Sequence, residues 1–279
     1  MAMTENMIRV EKLPGCGAIV HGFKAAEACD GAIAIVRAAV AEHGVIFMDD
    51  QPMTQPEQIA FARRFGPIVI NRYFPKSEEY PEVAKVEKTE EQVTNIGGGW
   101  HTDHSYDQEP AMGSLLLAVE TPASGGDTLF ADMYAAYDAL PEAQKRRLEG
   151  LHAIHSAAHI FGKAGAYAAT DRADFTGHEE TPTAVHPVVI THPDSGKKVL
   201  YVNPIFTTGI EGLDEAEARP LLTELFVHAM QPEFSHRHAW RPGSLAFWDN
   251  RATWHYALND YHGQRRLMHR ITLAGGPLS

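Results

Sequence analysis

The sequence predicts a mainly β protein with added helices, in which two antiparallel sheets form a barrel of the jelly-roll type. From residue 83 onward, short apolar runs are separated by Gly, Pro and Asp, and few helical stretches interrupt them. No repeat and no linker divides the chain. A length of 279 residues is compatible with one large barrel. We therefore expect residues 1–279 to form a single domain.

The N-terminal part is predicted to be β-α-β. Apolar residues near 3.6 spacing indicate helices over residues 25–43 and 55–65. Gly44 is a typical stop for the first helix, and Thr54 is a typical N-cap for the second. The short apolar runs that flank the first helix predict strands at residues 18–21 and 44–48.

The remaining elements follow from short apolar runs and from amphipathic stretches. Strands are expected at residues 114–119, 129–130, 185–191, 200–202, 244–248 and 269–273. Helices are expected at residues 135–140, 142–151 and 215–230. Residues 161–183 are polar and aperiodic, which predicts a long loop or lid of the kind that is often functional.

Composition excludes several classes of protein. A net charge of −12 disfavours nucleic acid as a general partner. The apolar runs are too short for a membrane span, and residues 1–10 show no export signal. Cys16 and Cys29 cannot build a disulfide scaffold. We therefore expect a cytoplasmic protein that acts on a small molecule. The 16 histidines are unusual, and their spacing must show which ones are functional.

The strongest local motif is His101-Thr102-Asp103. In a strand, residues i and i+2 point to one face, so an imidazole and a carboxylate would lie side by side. These are two of the three ligands of the 2-His-1-carboxylate triad, which holds Fe(II) and leaves positions open. The motif alone also occurs by chance, in which case His101 is a structural residue at the end of a strand.

A second histidine, His255, is the candidate third ligand. It follows the predicted strand 244–248 and the turn signal Asp249-Asn250, so its segment could fold back beside that strand. Farther on, Arg266 and Arg270 alternate onto one face of a strand and can converge on one pocket. A guanidinium matches a carboxylate through two hydrogen bonds. The alternative is a pair of surface arginines that bind acidic side chains.

Taken together, these motifs resemble the taurine/2,4-D dioxygenase family of Fe(II)- and 2-oxoglutarate-dependent oxygenases. The resemblance extends from about residue 61 to residue 273. It is carried by His101-x-Asp103, by Gly125-Gly126-Asp127-Thr128, by Trp248-Asp249-Asn250-Arg251 with His255, and by residues 264–270. It implies a double-stranded β-helix, the cupin-like jelly roll, with peripheral helices.

The resemblance also implies roles for individual residues. His101, Asp103 and His255 would bind iron, with O2 as the oxidant. Thr128 and Arg266 match positions that hold the distal carboxylate of 2-oxoglutarate. Trp248 matches a tryptophan near the metal, and Arg270 matches a position near the acidic group of the substrate. The implied reaction converts 2-oxoglutarate to succinate and CO2 and hydroxylates the substrate.

The substrate pocket departs from that of the taurine enzymes. A family histidine falls on Asn71, a tyrosine on Phe74 and an asparagine near Gly97, whereas Phe206 is retained. Residues 150–162 look more like the members that cleave aryloxyalkanoates. We expect an organic anion with an apolar body, an aryloxyalkanoate, sulfonate or sulfate ester. Arg270 would hold the anion, and Phe206, Tyr106 and Phe161 would contact the apolar part.

Other interpretations remain open. The chain could be a taurine dioxygenase proper, a cupin-like metalloenzyme that uses Zn(II) or Mn(II), or a binding protein that lost turnover. His104 is expected to face away from the metal, and His152, His155 and His159 have helical spacing. The resemblance suggests a homodimer or homotetramer, with residues 215–230 as a possible interface.

Overall fold

A computed structural model describes residues 7–279. Their strands are β1 Arg9–Lys12, β2 Ala18–His21, β3 Val45–Met48, β4 Ile68–Val69, β5 Ala84–Lys88, β6 Gly113–Glu120, β7 Thr128–Asp132, β8 His152–Ser156, β9 Thr183–Pro187, β10 Val189–Thr191, β11 Lys198–Leu200, β12 Thr207–Ile210, β13 Ser235–His238, β14 Leu245–Asp249, β15 Thr253–Ala257 and β16 Arg266–Leu273. Their helices are α1 Asp30–His43, α2 Gln55–Arg63, α3 Met133–Asp138, α4 Glu142–Leu148, α5 Ala158–Phe161 and α6 Glu215–Ala229.

The strands form two facing layers. In the described residues, eight strands make the larger sheet in the order β1-β2-β3-β14-β6-β16-β4, and β5 also pairs with β16. The opposite layer contains β13-β7-β15 and β12-β8-β9, with β10 paired to β11 nearby in the chain. Except for the parallel pair β2 and β3, the strand pairs of the described residues are antiparallel. The predicted jelly-roll architecture is therefore confirmed.

Alternation along the strands divides the core into layers. Ile46 of β3 and Leu115 of β6 pack under α1 and α2 on the outer face of the larger sheet. Their neighbours Phe47 and Leu116 point to the inner face, where they meet Phe130 of the opposite sheet. Helices α3 and α6 cover the outer face of that opposite sheet. The inner layer between the sheets contains the functional site.

The N-terminal β-α-β prediction is confirmed, with one change at the start of the helix. Strands β2 and β3 pair in parallel across α1, and Gly44 ends α1 with a φ of +73°. Thr54 caps α2 in a capping box with Glu57. The predicted helix over residues 25–43 is interrupted, because a 3-10 turn at Ala25–Glu27 precedes α1.

Three other predictions were wrong. The strand expected at residues 185–191 is two strands, β9 and β10, which are separated at Val188. His152 and His155 lie in strand β8, so their spacing is not helical. Strand β15 does not return beside β14 but crosses to the opposite sheet and pairs with β7. Local periodicity cannot distinguish a hairpin within one sheet from a connection between two sheets.

Within residues 7–279, no helix is both long and apolar enough to span a membrane. Cys16 is buried and Cys29 is exposed, and both are free thiols.

Candidate metal centre

A cavity of about 320 Å³ lies between the two sheets and opens beside the segment 161–183. Its lining includes the residues that the sequence singled out, which the fold collects from distant parts of the chain: Asn71, His101, Asp103, Tyr106, Thr128, Phe206, Trp248, His255, Arg266 and Arg270. The size is at the lower end of the range for small-molecule sites.

His101 and His255 are brought together by their own backbones. The His101 amide donates to the His255 carbonyl (3.1 Å), and the His255 amide donates to the His101 carbonyl (2.8 Å). This isolated bridge places the two imidazole rings 4.1 Å apart, centroid to centroid. The chain then turns at Asp103 instead of continuing as a strand. The expected side-by-side placement of His101 and Asp103 is therefore found, but a turn creates it rather than strand alternation.

The Asp103 carboxylate lies between the two imidazoles. His101 Nε2 is 3.7 Å from Asp103 Oδ1, and His255 Nε2 is 3.7 Å from Asp103 Oδ2. These separations are too long for hydrogen bonds. His101 Nδ1 donates to the Gly99 carbonyl (2.8 Å). The proton of the neutral ring is therefore on Nδ1, and the lone pair of Nε2 is available on the side of Asp103.

The three side chains fit a divalent metal ion. One donor atom from each lies within 4.8 Å of the others. Asp103 Oδ2 and His255 Nδ1 are buried and have no hydrogen-bond partner among the described residues. Two imidazoles and one carboxylate form the donor set that non-haem Fe(II) sites use, with half of the coordination positions open to other ligands.

Burial and charge favour the protonation states that metal ligands need. Burial opposes ionisation of Asp103, but the positive Arg270 lowers the pKa of its carboxyl below the ordinary value. Burial also lowers the pKa values of His101 and His255. A charged carboxylate and two neutral imidazoles are therefore favoured at neutral pH.

Arg266 and Thr128 face the same end of the cavity from strands of opposite sheets. Arg266 is 5% exposed, its Nε donates to the Gly126 carbonyl (3.1 Å), and burial lowers the pKa of its guanidinium. Within residues 7–279, no carboxylate forms an ion pair with it. Thr128 is 3% exposed. A buried cation without a protein anion, next to a hydroxyl, can bind the carboxylate of a small molecule.

Arg270 lies four residues after Arg266 in β16, so the two side chains fall on the same face of the strand, as the sequence predicts. Its Nη2 is 2.8 Å from Asp103 Oδ2, although the alignment is too poor for a hydrogen bond. Its guanidinium also lies 5.5 Å from the centre of the Phe74 ring and 5.9 Å from that of Trp248. Arg270 therefore joins the metal end of the cavity to its aromatic end.

Trp248 lies beside the centre, with its ring 4.9 Å from that of His255. Its Nε1 donates to Asn250 Oδ1 (2.8 Å), which fixes the ring.

Aromatic rings line the other end of the cavity. The rings of Tyr106 and Phe206 meet edge to face at 4.8 Å, and Phe161 stacks on Tyr73 at 3.9 Å. Asn71 lines the same end, but its Oδ1 accepts from the amides of Tyr73 (2.9 Å) and Phe74 (3.2 Å). This end therefore suits an aromatic or other flat apolar group.

The segment 161–183 covers the aromatic end. It contains a 3-10 turn at Ala173–Phe175, and Phe161 and Tyr167 line the cavity. Asp171 receives hydrogen bonds from the amides of Val93 and Thr94, which attach the segment to the loop that precedes His101.

Sequence reasoning missed two contributors to the site. His104 was expected to face away, but with a φ of +61° its ring lines the cavity. Its Nδ1 donates to Asp107 (2.8 Å), whereas its buried Nε2 has no partner in the described residues. Trp240 donates from Nε1 to Thr128 Oγ1 (2.9 Å). No sequence signal identifies either residue, because each depends on a turn or a contact between distant strands.

A second cluster of metal-ligand residue types, at His192, Asp194 and Asp249, has a different character. Arg251 Nη2 lies 2.6 Å from Asp249 Oδ2 and 2.7 Å from Asp194 Oδ2. His192 Nε2 donates to Asp249 (3.0 Å). The guanidinium occupies the position that a cation would take, so this cluster is a structural ion-pair network next to the turn before β15.

Comparison with known proteins relates the whole chain to one group. The profile of the family described as "Taurine catabolism dioxygenase TauD, TfdA family" matches residues 9–272. A (S)-phenoxypropionate/alpha-ketoglutarate-dioxygenase of Sphingobium herbicidovorans is 35% identical over 94% of this chain and 93% of its own length. An alpha-ketoglutarate-dependent 2,4-dichlorophenoxyacetate dioxygenase of Cupriavidus pinatubonensis is 39% identical over 83% and 84%. The crystal structure of AAD-2 in complex with Mn(II) and N-oxalylglycine superimposes with a TM-score of 0.79 and 30% identity, covering 97% of this chain and 98% of that one.

Proposed function

We propose residue roles and a substrate class for this chain, which belongs to the TauD/TfdA family of dioxygenases. The protein is a non-haem iron dioxygenase that uses 2-oxoglutarate and O2. The alternatives of a cupin-like enzyme of another reaction type and of a binding protein are less compatible with relatives that share nearly the full length of the chain.

In this proposal His101, Asp103 and His255 bind Fe(II). The supporting observation is the buried triad, whose donor atoms lie within 4.8 Å of one another and include Asp103 Oδ2, which forms no hydrogen bond with the described residues. When bound, iron and 2-oxoglutarate supply the oxidation that hydroxylates the substrate, with release of succinate and CO2. The protein holds the ligands, orients both organic molecules and keeps water out.

Arg266 and Thr128 bind the distal carboxylate of 2-oxoglutarate. Arg266 is buried, lacks a carboxylate partner in the described residues and has its Nε already committed to Gly126, so its terminal amino groups are free for the co-substrate. Trp248 forms a fixed wall beside His255.

The primary substrate is an aryloxyalkanoate or a similar organic anion. Arg270 binds the anionic group, since it is the second buried guanidinium of the cavity. Tyr106 and Phe206 contact the apolar body, and Asn71 lines the cavity beside it. Hydroxylation at the carbon next to the ether oxygen gives an unstable product that fragments. Neither step requires a protein nucleophile.

The single observation that supports this substrate class best is the position of Arg270 between the metal triad and the aromatic rings. An anion bound there directs its adjacent carbon to the triad and its apolar part to the rings. Taurine, a small zwitterion without an apolar body, would leave the aromatic end unfilled, so taurine dioxygenase proper is the less suitable function.

We extend the proposal to the organisation of the molecule. Residues 1–279 form one dioxygenase domain in the cytoplasm, where it acts on small molecules and on neither nucleic acid nor membranes. It assembles as a homodimer or homotetramer in which the outer helix α6 contributes to the interface; Val227 on that helix is an exposed apolar residue.

The test is a screen for substrate-dependent formation of succinate. Aryloxyalkanoates, alkyl sulfate esters, alkyl sulfonates and neutral aryl ethers are compared at equal concentrations. We expect the highest kcat/KM for an aryloxyalkanoate and little turnover of its neutral ether analogue. Activity confined to neutral compounds would contradict the anion assignment, and a preference for sulfate esters would replace the carboxylate by a sulfate at Arg270.

A further inference from the structure

The hydrogen bond between Trp240 and Thr128 has a defined direction. Trp240 Nε1 lies 2.9 Å from Thr128 Oγ1. An indole nitrogen can only donate, so the threonine oxygen must accept. The hydroxyl proton of Thr128 is therefore left to donate elsewhere. Because Thr128 is 3% exposed and lines the cavity, the cavity is the place where that proton finds an acceptor.

The same indole also contacts the cation of this end of the cavity. The Arg266 guanidinium carbon lies 5.8 Å from the centre of the Trp240 ring. The other fixed contact of this guanidinium is the bond from Nε to the Gly126 carbonyl (3.1 Å). Trp240 thus touches both groups that are proposed to meet the distal carboxylate of 2-oxoglutarate.

The surrounding strands hold the Trp240 ring in place. Trp240 follows β13, in which His238 pairs with Thr128 of β7. The His238 ring meets the indole edge to face at 4.7 Å and stacks on Phe47 at 4.1 Å. Trp240 is 7% exposed. A buried side chain packed in this way has little freedom to follow a moving partner, so it can fix the direction of the Thr128 hydroxyl.

We propose that Trp240 is a positioning residue for the distal carboxylate of 2-oxoglutarate. By donating to Thr128, it turns the hydroxyl proton towards the co-substrate, and its ring packs against the Arg266 guanidinium. The inference rests on the proposed binding of 2-oxoglutarate by Thr128 and Arg266. It adds that selection of a dicarboxylate co-substrate depends on a residue that need not touch it.

The test measures binding of two metal chelators to the full-length protein loaded with Mn(II). 2-Oxoglutarate has a distal carboxylate, whereas oxalate chelates a metal without one. Trp240→Phe keeps an aromatic ring at this position but lacks the indole N–H that donates to Thr128. We expect the dissociation constant of 2-oxoglutarate to rise about fivefold, the effect of one hydrogen bond, and that of oxalate to change less than twofold. Calorimetry under anaerobic conditions measures both.

A double-mutant cycle distinguishes positioning from a general structural effect. Thr128→Val alone should weaken 2-oxoglutarate binding about tenfold, and adding Trp240→Phe should then have almost no further effect. Tyr134→Phe is the control, because it also removes the polar contacts of a buried aromatic side chain, the bond to the Ala41 carbonyl (3.0 Å) and the bond from Ser195 Oγ (3.1 Å), but lies outside the cavity lining. Its affinity for 2-oxoglutarate should equal that of the wild type.

Three results would overturn the inference: equal weakening of oxalate and 2-oxoglutarate by Trp240→Phe, an undiminished effect of that substitution in the Thr128→Val background, or no effect at all. Trp240→Leu, which removes ring and donor together, provides the same comparison of chelators if the Phe variant does not fold. A wild-type protein that binds oxalate but not 2-oxoglutarate would instead refute the proposed function and this inference with it.

Discussion

The two ends of the cavity are built from different kinds of structure. At the metal and co-substrate end, most side chains come from regular strands: Thr128 from β7, His255 from β15, and Arg266 and Arg270 from β16. The other two metal ligands, His101 and Asp103, lie on a turn that an isolated bridge attaches to His255 of β15. At the aromatic end they come from loops: Phe206 follows β11, and the segment 161–183 joins α5 to β9. We call the strands of the two facing sheets, with the side chains that they carry, the frame. We call the loops at the aromatic end of the cavity the cover.

The difference separates chemistry from substrate choice. Strands hold their side chains to within a fraction of an ångström, as a metal centre requires. Loops tolerate substitution without loss of the core, so the substrate pocket can change while the reaction is kept. We therefore expect substitutions in the frame to reduce stability or co-substrate binding, and substitutions in the cover to alter substrate preference alone.

The largest expected effect is on the ion-pair network beside β15. Burial opposes ionisation of Asp249, yet Arg251 and His192 lower the pKa of its carboxyl to about 2. Asp249→Asn leaves the Arg251 guanidinium buried without its main counter-charge, and we expect a loss of about 3–5 kcal/mol in the free energy of unfolding. Urea denaturation measures it. Asp194→Asn removes the exposed partner of the same guanidinium and should cost less than about 1 kcal/mol; equal losses would contradict the role of Asp249 as the main counter-charge of Arg251.

The second effect concerns the co-substrate. Arg266→Leu removes the buried cation, and the KM for 2-oxoglutarate should rise about a hundredfold because a charged, two-pronged contact is lost. Arg266→Lys keeps the charge but not the fork and should show an intermediate rise. The adjacent Arg265, which pairs with Glu87 and Glu120 on the other face, is the control, and Arg265→Leu should leave this KM unchanged.

The third effect is on the pH dependence of the free energy of unfolding, to which we expect His155 of strand β8 to contribute. Burial lowers the pKa of His155 to about 3, whereas an unfolded chain protonates its histidine near pH 6.5. Between these values the unfolded state binds more protons, so stability falls as the pH falls. His155 should contribute a loss of about 2 kcal/mol between pH 7 and pH 5.

His155→Leu should reduce the pH dependence by that amount, measured as the difference in unfolding free energy at the two pH values. In this variant Thr207 Oγ1 still accepts from the Asn203 amide (2.8 Å), and only its longer contact with His155 Nδ1 (3.3 Å) is lost. An unchanged pH dependence would show that His155 is accessible to protons in the folded state.

The smallest effect is expected in the cover. Phe206→Leu removes the ring that meets Tyr106, and kcat/KM for an aryloxyalkanoate should fall about tenfold. The KM for 2-oxoglutarate and the free energy of unfolding should change little. Phe226→Leu on α6 is a control, because Phe226 does not line the cavity. A fall in 2-oxoglutarate affinity in Phe206→Leu would mean that frame and cover are not separate.

The sequence allows prediction of the frame better than of the cover. Strand alternation correctly places Arg266 and Arg270 on one face, because the period of two is a local property. The His101 and Asp103 pairing was expected from the same rule but arises from a turn. Strand β15 was assigned to the wrong neighbour, since which sheet a strand joins depends on contacts with β7 far away in sequence.

The cover could not be predicted beyond its existence. Residues 161–183 lack periodicity, and their attachment through Asp171 to backbone amides leaves no trace in residue type. His104 enters the cavity through a left-handed backbone conformation that is uncommon for a non-glycine residue. Trp240 reaches Thr128 only because two distant strands pair.

Anaerobic titration of the Fe(II)-loaded protein with 2-oxoglutarate, followed by visible absorbance, tests the central claim most directly. If His101, Asp103 and His255 hold one iron with open positions, a weak absorption band should appear and saturate at one 2-oxoglutarate per chain. The band should be absent from His255→Ala. A band of equal strength in that variant, or none in the wild type with iron bound, would contradict the account.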